Sequence, residues 1–76
     1  MKKDEDLETV VKICQQLQSL RVSQGISQQR LAEKAGVSRT GLRHVESGDI
    51  NPTLYTLLKI SKALNCRLSQ LLENDA

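Results

Sequence analysis

Apolar side chains recur along this chain with the spacing of a helix face, interrupted at short intervals by residues that cap or break helices. Val10, Ile13, Cys14, Leu17 and Leu20 or Arg21 stand at i, i+3, i+4 and i+7, which predicts a long first helix with one apolar stripe. Acidic residues suit the positive end of a helix, so Asp4, Glu5 and Asp6 place its start between Asp4 and Leu7, and it ends before Gly25. Ser27 is a good N-cap for a second helix carrying Leu31, Ala32 and Ala35, with Gly36 as its left-handed stop. Ser38 then caps a third helix that carries Leu42 and Val45 and ends at Gly48.

Pro52 disfavours helix at Asn51, so Asp49 to Pro52 reads as a loop. Thr53 caps a fourth helix whose apolar face is Leu54, Leu57, Leu58, Ser61 and Leu64, with Asn65 as its left-handed end. A short last helix holds Leu68, Leu71 and Leu72. The fold expected is all-α, a compact bundle of about five helices in one domain spanning residues 1–76, with residues 1–6 frayed. Only Gly36, Val37 and Ser38 separate the second and third helices, and two short helices joined by a tight glycine turn form a helix-turn-helix unit over residues 27–48. Ala32 sits where those helices cross and a larger side chain would push them apart, while Val37, Leu42 and Val45 seal the angle between them.

Composition narrows the picture. The chain has 76 residues, with one Tyr and no Phe or Trp, so the core is aliphatic and near the lower size limit for a core without cross-links. That length leaves no room for a second, ligand-sensing domain, and neither a small-molecule ligand nor a cofactor is expected. Cys14 and Cys66 are far apart and lack a Cys or His neighbour at ligand spacing, which argues for free thiols and against a metal site. Met1-Lys2-Lys3 runs directly into acidic residues with no apolar stretch behind it, so no membrane span and a cytoplasmic location are expected.

The net charge is +2 and the sequence pI about 8.7, a weak pointer to nucleic acid by itself. Its distribution says more. Between Arg21 and Gly48 the segment carries five basic residues against Glu33 and Glu46, a local +3, while acids concentrate at both ends of the chain.

The segment from Gly25 to Gly48, Gly-Ile-Ser-Gln-Gln-Arg-Leu-Ala-Glu-Lys-Ala-Gly-Val-Ser-Arg-Thr-Gly-Leu-Arg-His-Val-Glu-Ser-Gly, resembles the phage repressor and Cro helix-turn-helix family, also called XRE-type. Asn51-Pro52-Thr53 followed by Leu57 to Leu64 resembles that family's next helix, and the similarity covers roughly residues 10 to 72. Short members with this layout include controller proteins of restriction-modification systems, phage and plasmid regulators, and some antitoxins. The resemblance implies a lambda repressor-like DNA-binding domain with the 38–47 helix in the major groove. It places Arg39 and Thr40 at base-reading positions, where a guanidinium fork fits guanine O6 and N7. Arg43 reaches bases or phosphate, and His44 projects beside it. Gln28 matches a phosphate-clamping glutamine at a helix N-terminus. Ser38, Ser47 and Asn51 are further contact candidates, although Ser and Asn beside Gly and Pro are also what turns need. The resemblance also implies a buried salt bridge between Arg21 and Glu46. Two positions depart from the family pattern: Gly41 puts a residue without a side chain in the first turns of the recognition helix, and Arg67 stands where relatives place a small capping residue.

Ser38, His44 and Glu46 do not make a catalytic set, because positions two apart on a helix face different directions, and no glycine-rich phosphate loop or paired carboxylate appears. No enzyme activity is expected. A single module covers only about 600 to 1,000 Å² on DNA, so a homodimer on a palindromic operator is expected, with Ile60, Leu68, Leu71 and Leu72 as its interface. The alternative is an antitoxin-type module whose main partner is a toxin and which binds DNA secondarily.

Overall fold

The computed structural model describes residues 4–49 and 51–74. Among them five helices follow one another: α1 Glu5–Ser23, α2 Gln28–Ala35, α3 Arg39–Ser47, α4 Leu54–Ala63 and α5 Leu68–Asn74. Each of the first four starts at a side-chain cap. Asp4, Ser27, Ser38 and Thr53 accept from the backbone N–H groups of Leu7, Arg30, Gly41 and Thr56, satisfying donors that a helix start leaves without partners. Of the stretch expected to fray, Asp4 is the cap and Glu5 and Asp6 are helical; residues 1–3 lie outside the described residues.

The turn between α2 and α3 requires a residue that tolerates positive φ, and Gly36 supplies it at 72°. The Val37 N–H donates to the Ala32 carbonyl at 3.0 Å and the Gly36 N–H to Glu33, closing the end of α2 as a Schellman motif. Asn65 takes the same role after α4 with φ 57°.

The core draws on all five helices: Ile13, Cys14 and Leu17 of α1, Leu31, Ala32 and Ala35 of α2, Leu42 and Val45 of α3, Leu57, Ile60 and Leu64 of α4 and its cap, and Leu68 and Leu71 of α5. Fully burying one such Leu stabilises the fold by about 1.5 to 3 kcal/mol. α2 packs on both α3 and α4, and α1 backs α3, so the third helix rests on its neighbours along one side only.

The structure corrects the expected face of α4. Leu57, Ile60, Ser61 and Leu64 point inward, whereas Leu54 and Leu58 are exposed. Both rows have helical spacing and share Leu57, Ser61 and Leu64; the one that meets α2 and α5 is rotated toward Ile60. Three of the four residues expected at a dimer interface are thereby spent on the chain's own core: Ile60 is 0% exposed, Leu68 7% and Leu71 6%. A chain this short needs nearly every apolar side chain it has to close one core. Leu72, at 52%, remains on the surface.

Candidate nucleic-acid interface

The sequence of α3 divides by helical spacing into two faces. Leu42, Val45 and Glu46 are buried, and Arg39, Thr40, Arg43, His44 and Ser47 are exposed. The outward row therefore carries two guanidiniums, an imidazole and two hydroxyls on one side of a nine-residue helix.

The buried charge on this helix is held by its neighbours. Arg21, in the last turn of α1, donates from Nε to Glu46 Oε2 at 2.7 Å and from Nη2 to Oε1 at 3.1 Å, and its Nη1 reaches the Ile26 carbonyl at 2.7 Å. Gln28 completes the set by donating from Nε2 to Glu46 Oε1 at 2.9 Å. A carboxylate nearly without water is tolerable only when paired and hydrogen-bonded in this way. The network ties three helices together: the end of α1, the start of α2 and the last turn of α3.

Gln28 thus spends one amide hydrogen on Glu46, while its second hydrogen and its backbone N–H stand at the start of α2, where a helix terminus favours an anion. Beside it, a notch of about 270 Å³ is lined by Gln18, Gln28, Arg43, His44, Glu46, Ser47 and Asp49. His44 Nδ1 lies 3.7 Å from Asp49 Oδ2 across its rim.

Ser38 and Ser47 are occupied locally. The Ser38 hydroxyl accepts from Gly41 N–H at 2.9 Å, and the Ser47 hydroxyl donates to the His44 carbonyl at 3.0 Å. A Cβ at Gly41 would stand 2.9 Å from Ser38 Oγ, so the missing side chain there protects the cap of α3. Asn51 is exposed in the loop after α3, apart from the helical row.

Two residues that sequence reasoning passed over also lie beside α3 or the turn before it. Gln18 faces the notch from α1; a polar residue one position after Leu17 on the rim of the apolar stripe was its only signal. Lys59, on α4, donates from Nζ to the Gly36 carbonyl at 3.0 Å, a contact over 23 residues that no local pattern announces.

The helix-turn-helix family model HTH_3 matches residues 17–71. The chain belongs to this helix-turn-helix family. It is 38% identical over 60 residues to the control protein C.SmaI of Serratia marcescens, covering 79% of this chain and 71% of that protein. A prophage-derived helix-turn-helix regulator of Bacillus subtilis, YonR, is 39% identical over 59 residues; the match takes in 78% of this chain but only 55% of that longer protein. Among solved structures, the restriction-modification controller protein C.AhdI of Aeromonas hydrophila superposes with a TM-score of 0.77 at 37% identity, over 90% of this chain and 98% of that one. DNA-binding transcription regulation is the function class that this family membership carries. Among the described residues no helix is long and apolar enough to cross a membrane.

Proposed function

We propose that this helix-turn-helix protein is a sequence-specific regulator that inserts α3 into the major groove of double-stranded DNA and works as a homodimer on a palindromic operator. The observation that carries the reading is the outward row of α3: Arg39, Thr40 and Arg43 are exposed on a helix whose opposite face is anchored by Leu42, Val45 and Glu46. In this docking the N-terminal residues of the helix meet base edges. Arg39 supplies the two-pronged donor for guanine, Thr40 a hydroxyl or methyl for its neighbour, and Arg43 a base or phosphate contact one turn on. Gln28 and the start of α2 take a backbone phosphate.

Pairing is supported by apolar surface that the core leaves over. Leu54, Tyr55 and Leu58 lie on one exposed face of α4, and Leu72 is exposed on α5. These residues stand on two helices and outside the row of α3 that would face DNA. A second copy covering it would double the number of base pairs read, which one module of this size needs in order to compete with non-specific sites.

Selection of binding sites from random duplexes tests the reading. The expected product is a two-fold symmetric consensus whose half-site centres lie about one helical turn, near 34 Å, apart. Recovery of unrelated sequences would overturn it.

A further inference from the structure

We propose that Lys59 is a positioning residue for the recognition helix: from α4, its ammonium holds the carbonyl of the turn that launches α3 and so fixes where Arg39 and Thr40 stand. This rests on base reading by α3. The Lys59 Nζ donates to the Gly36 carbonyl at 3.0 Å, at the C-terminal end of α2, where the helix dipole favours a cation. The end of the lysine side chain lies beside the glycine, since a Cβ at Gly36 would stand 3.7 Å from Lys59 Cε and 3.9 Å from Nζ. Tyr55, one turn earlier on α4, places its ring centroid 4.7 Å from the same ammonium, an attractive arrangement for a cation over an aromatic face.

The location of this contact gives it a consequence. Gly36 stands two residues before Ser38, the cap of α3, and a three-residue turn has little freedom to absorb a displaced carbonyl. The recognition helix is therefore held at two ends. Glu46 ties its last turn to Arg21 of α1, and Lys59 ties its approach to α4, itself seated in the core by Leu57 and Ile60. The Lys59 end is the one nearest the residues assigned to bases. Because its ammonium is directed at a carbonyl and a ring of its own chain, Lys59 sharpens discrimination without adding to the count of neutralised phosphates.

Two measurements on the whole chain test this, with Lys59→Met keeping the stem and Lys59→Arg keeping a cationic donor. In the free protein, amide hydrogen exchange at Val37, whose N–H closes the end of α2 on Ala32, is expected to quicken in Lys59→Met and to return toward wild type in Lys59→Arg, with α1 amides unchanged. In fluorescence anisotropy, the probes are a duplex selected by the wild-type chain and its single-base variants. Losing one hydrogen bond of this kind should cut the preference for the selected duplex about threefold to tenfold, with Lys59→Arg recovering most of it and the salt slope unchanged. Equal loss on all duplexes, with a slope smaller by about 1, would make Lys59 a phosphate contact instead and overturn the proposal. Unaltered exchange, or unaltered discrimination by a folded Lys59→Met, would overturn it as well. Failure of the base-reading proposal itself shows separately, as a wild-type chain that selects no sequence.

Discussion

Arg21 and Glu46, 25 positions apart in the chain, meet in a two-pronged ion pair at 2.7 and 3.1 Å, with side chains only 13% and 2% exposed. The pair joins the end of α1 to the last turn of the helix assigned to DNA. It couples the stability of the fold to the placement of α3, because the carboxylate also receives Gln28.

Removing one partner leaves a buried charge without compensation. Glu46→Ala should therefore cost about 3 to 5 kcal/mol, against under about 1 for an exposed pair. Replacing both members with apolar residues, as in Arg21→Met with Glu46→Leu, should cost less than either single change. Urea melts of the three variants check this, and a loss below about 1 kcal/mol for Glu46→Ala would contradict a desolvated pair.

Variants of α4 and α5 separate the core from the proposed interface. Ile60→Ala should lower stability by about 2 to 5 kcal/mol through the cavity it leaves, with no change in oligomeric state beyond that caused by unfolding. Leu58→Asp and Leu72→Asp remove exposed apolar surface instead, so at concentrations where the chain is monomeric they should leave the melt nearly unchanged, while weakening self-association and binding to a palindromic duplex at higher concentration. Sedimentation equilibrium distinguishes the two patterns. A wild-type chain that stays monomeric at high micromolar concentration would exclude the dimer.

Burial pushes both thiols above their ordinary pKa, Cys14 at the centre of the core and Cys66 half-buried after α4. Alkylation at pH 8 should accordingly label Cys66 first and reach Cys14 only when the fold opens. The sign of the pH dependence follows. Above the unfolded thiol's range, near about pH 8.5, the unfolded state releases protons that the native state keeps, so stability falls as pH rises. Cys14→Ala should flatten that alkaline slope, and an unchanged slope would show that other groups cause it.

The helix boundaries were legible because local chemistry sets them. Ser27, Ser38 and Thr53 cap helices, and Gly36, Gly48 and Asn65 take positive φ, all through contacts within a few residues. The division of α3 into a buried and an exposed row could be read from its spacing in the same way. The faces of α4 and α5 could not. Apolar residues fill five of the seven positions from Leu54 to Ile60 if Tyr55 is counted, so two rows satisfy the helical period, and only the packing of α2 and α5 chooses between them. Contacts across long stretches left no local trace: Arg21 with Glu46 was accessible solely through family resemblance, and Lys59 with Gly36 not at all.

The most direct test of the account concerns Arg39. If this guanidinium reads a guanine from the first turn of α3, Arg39→Ala should lose about 1 to 3 kcal/mol on the selected duplex and relax preference at one base pair per half-site, whereas Gln28→Ala should weaken all duplexes about equally. Fluorescence anisotropy against a panel of single-base variants at fixed salt measures both. A folded Arg39→Ala chain with undiminished discrimination at every position would contradict the assignment of α3 as the reading helix through this residue.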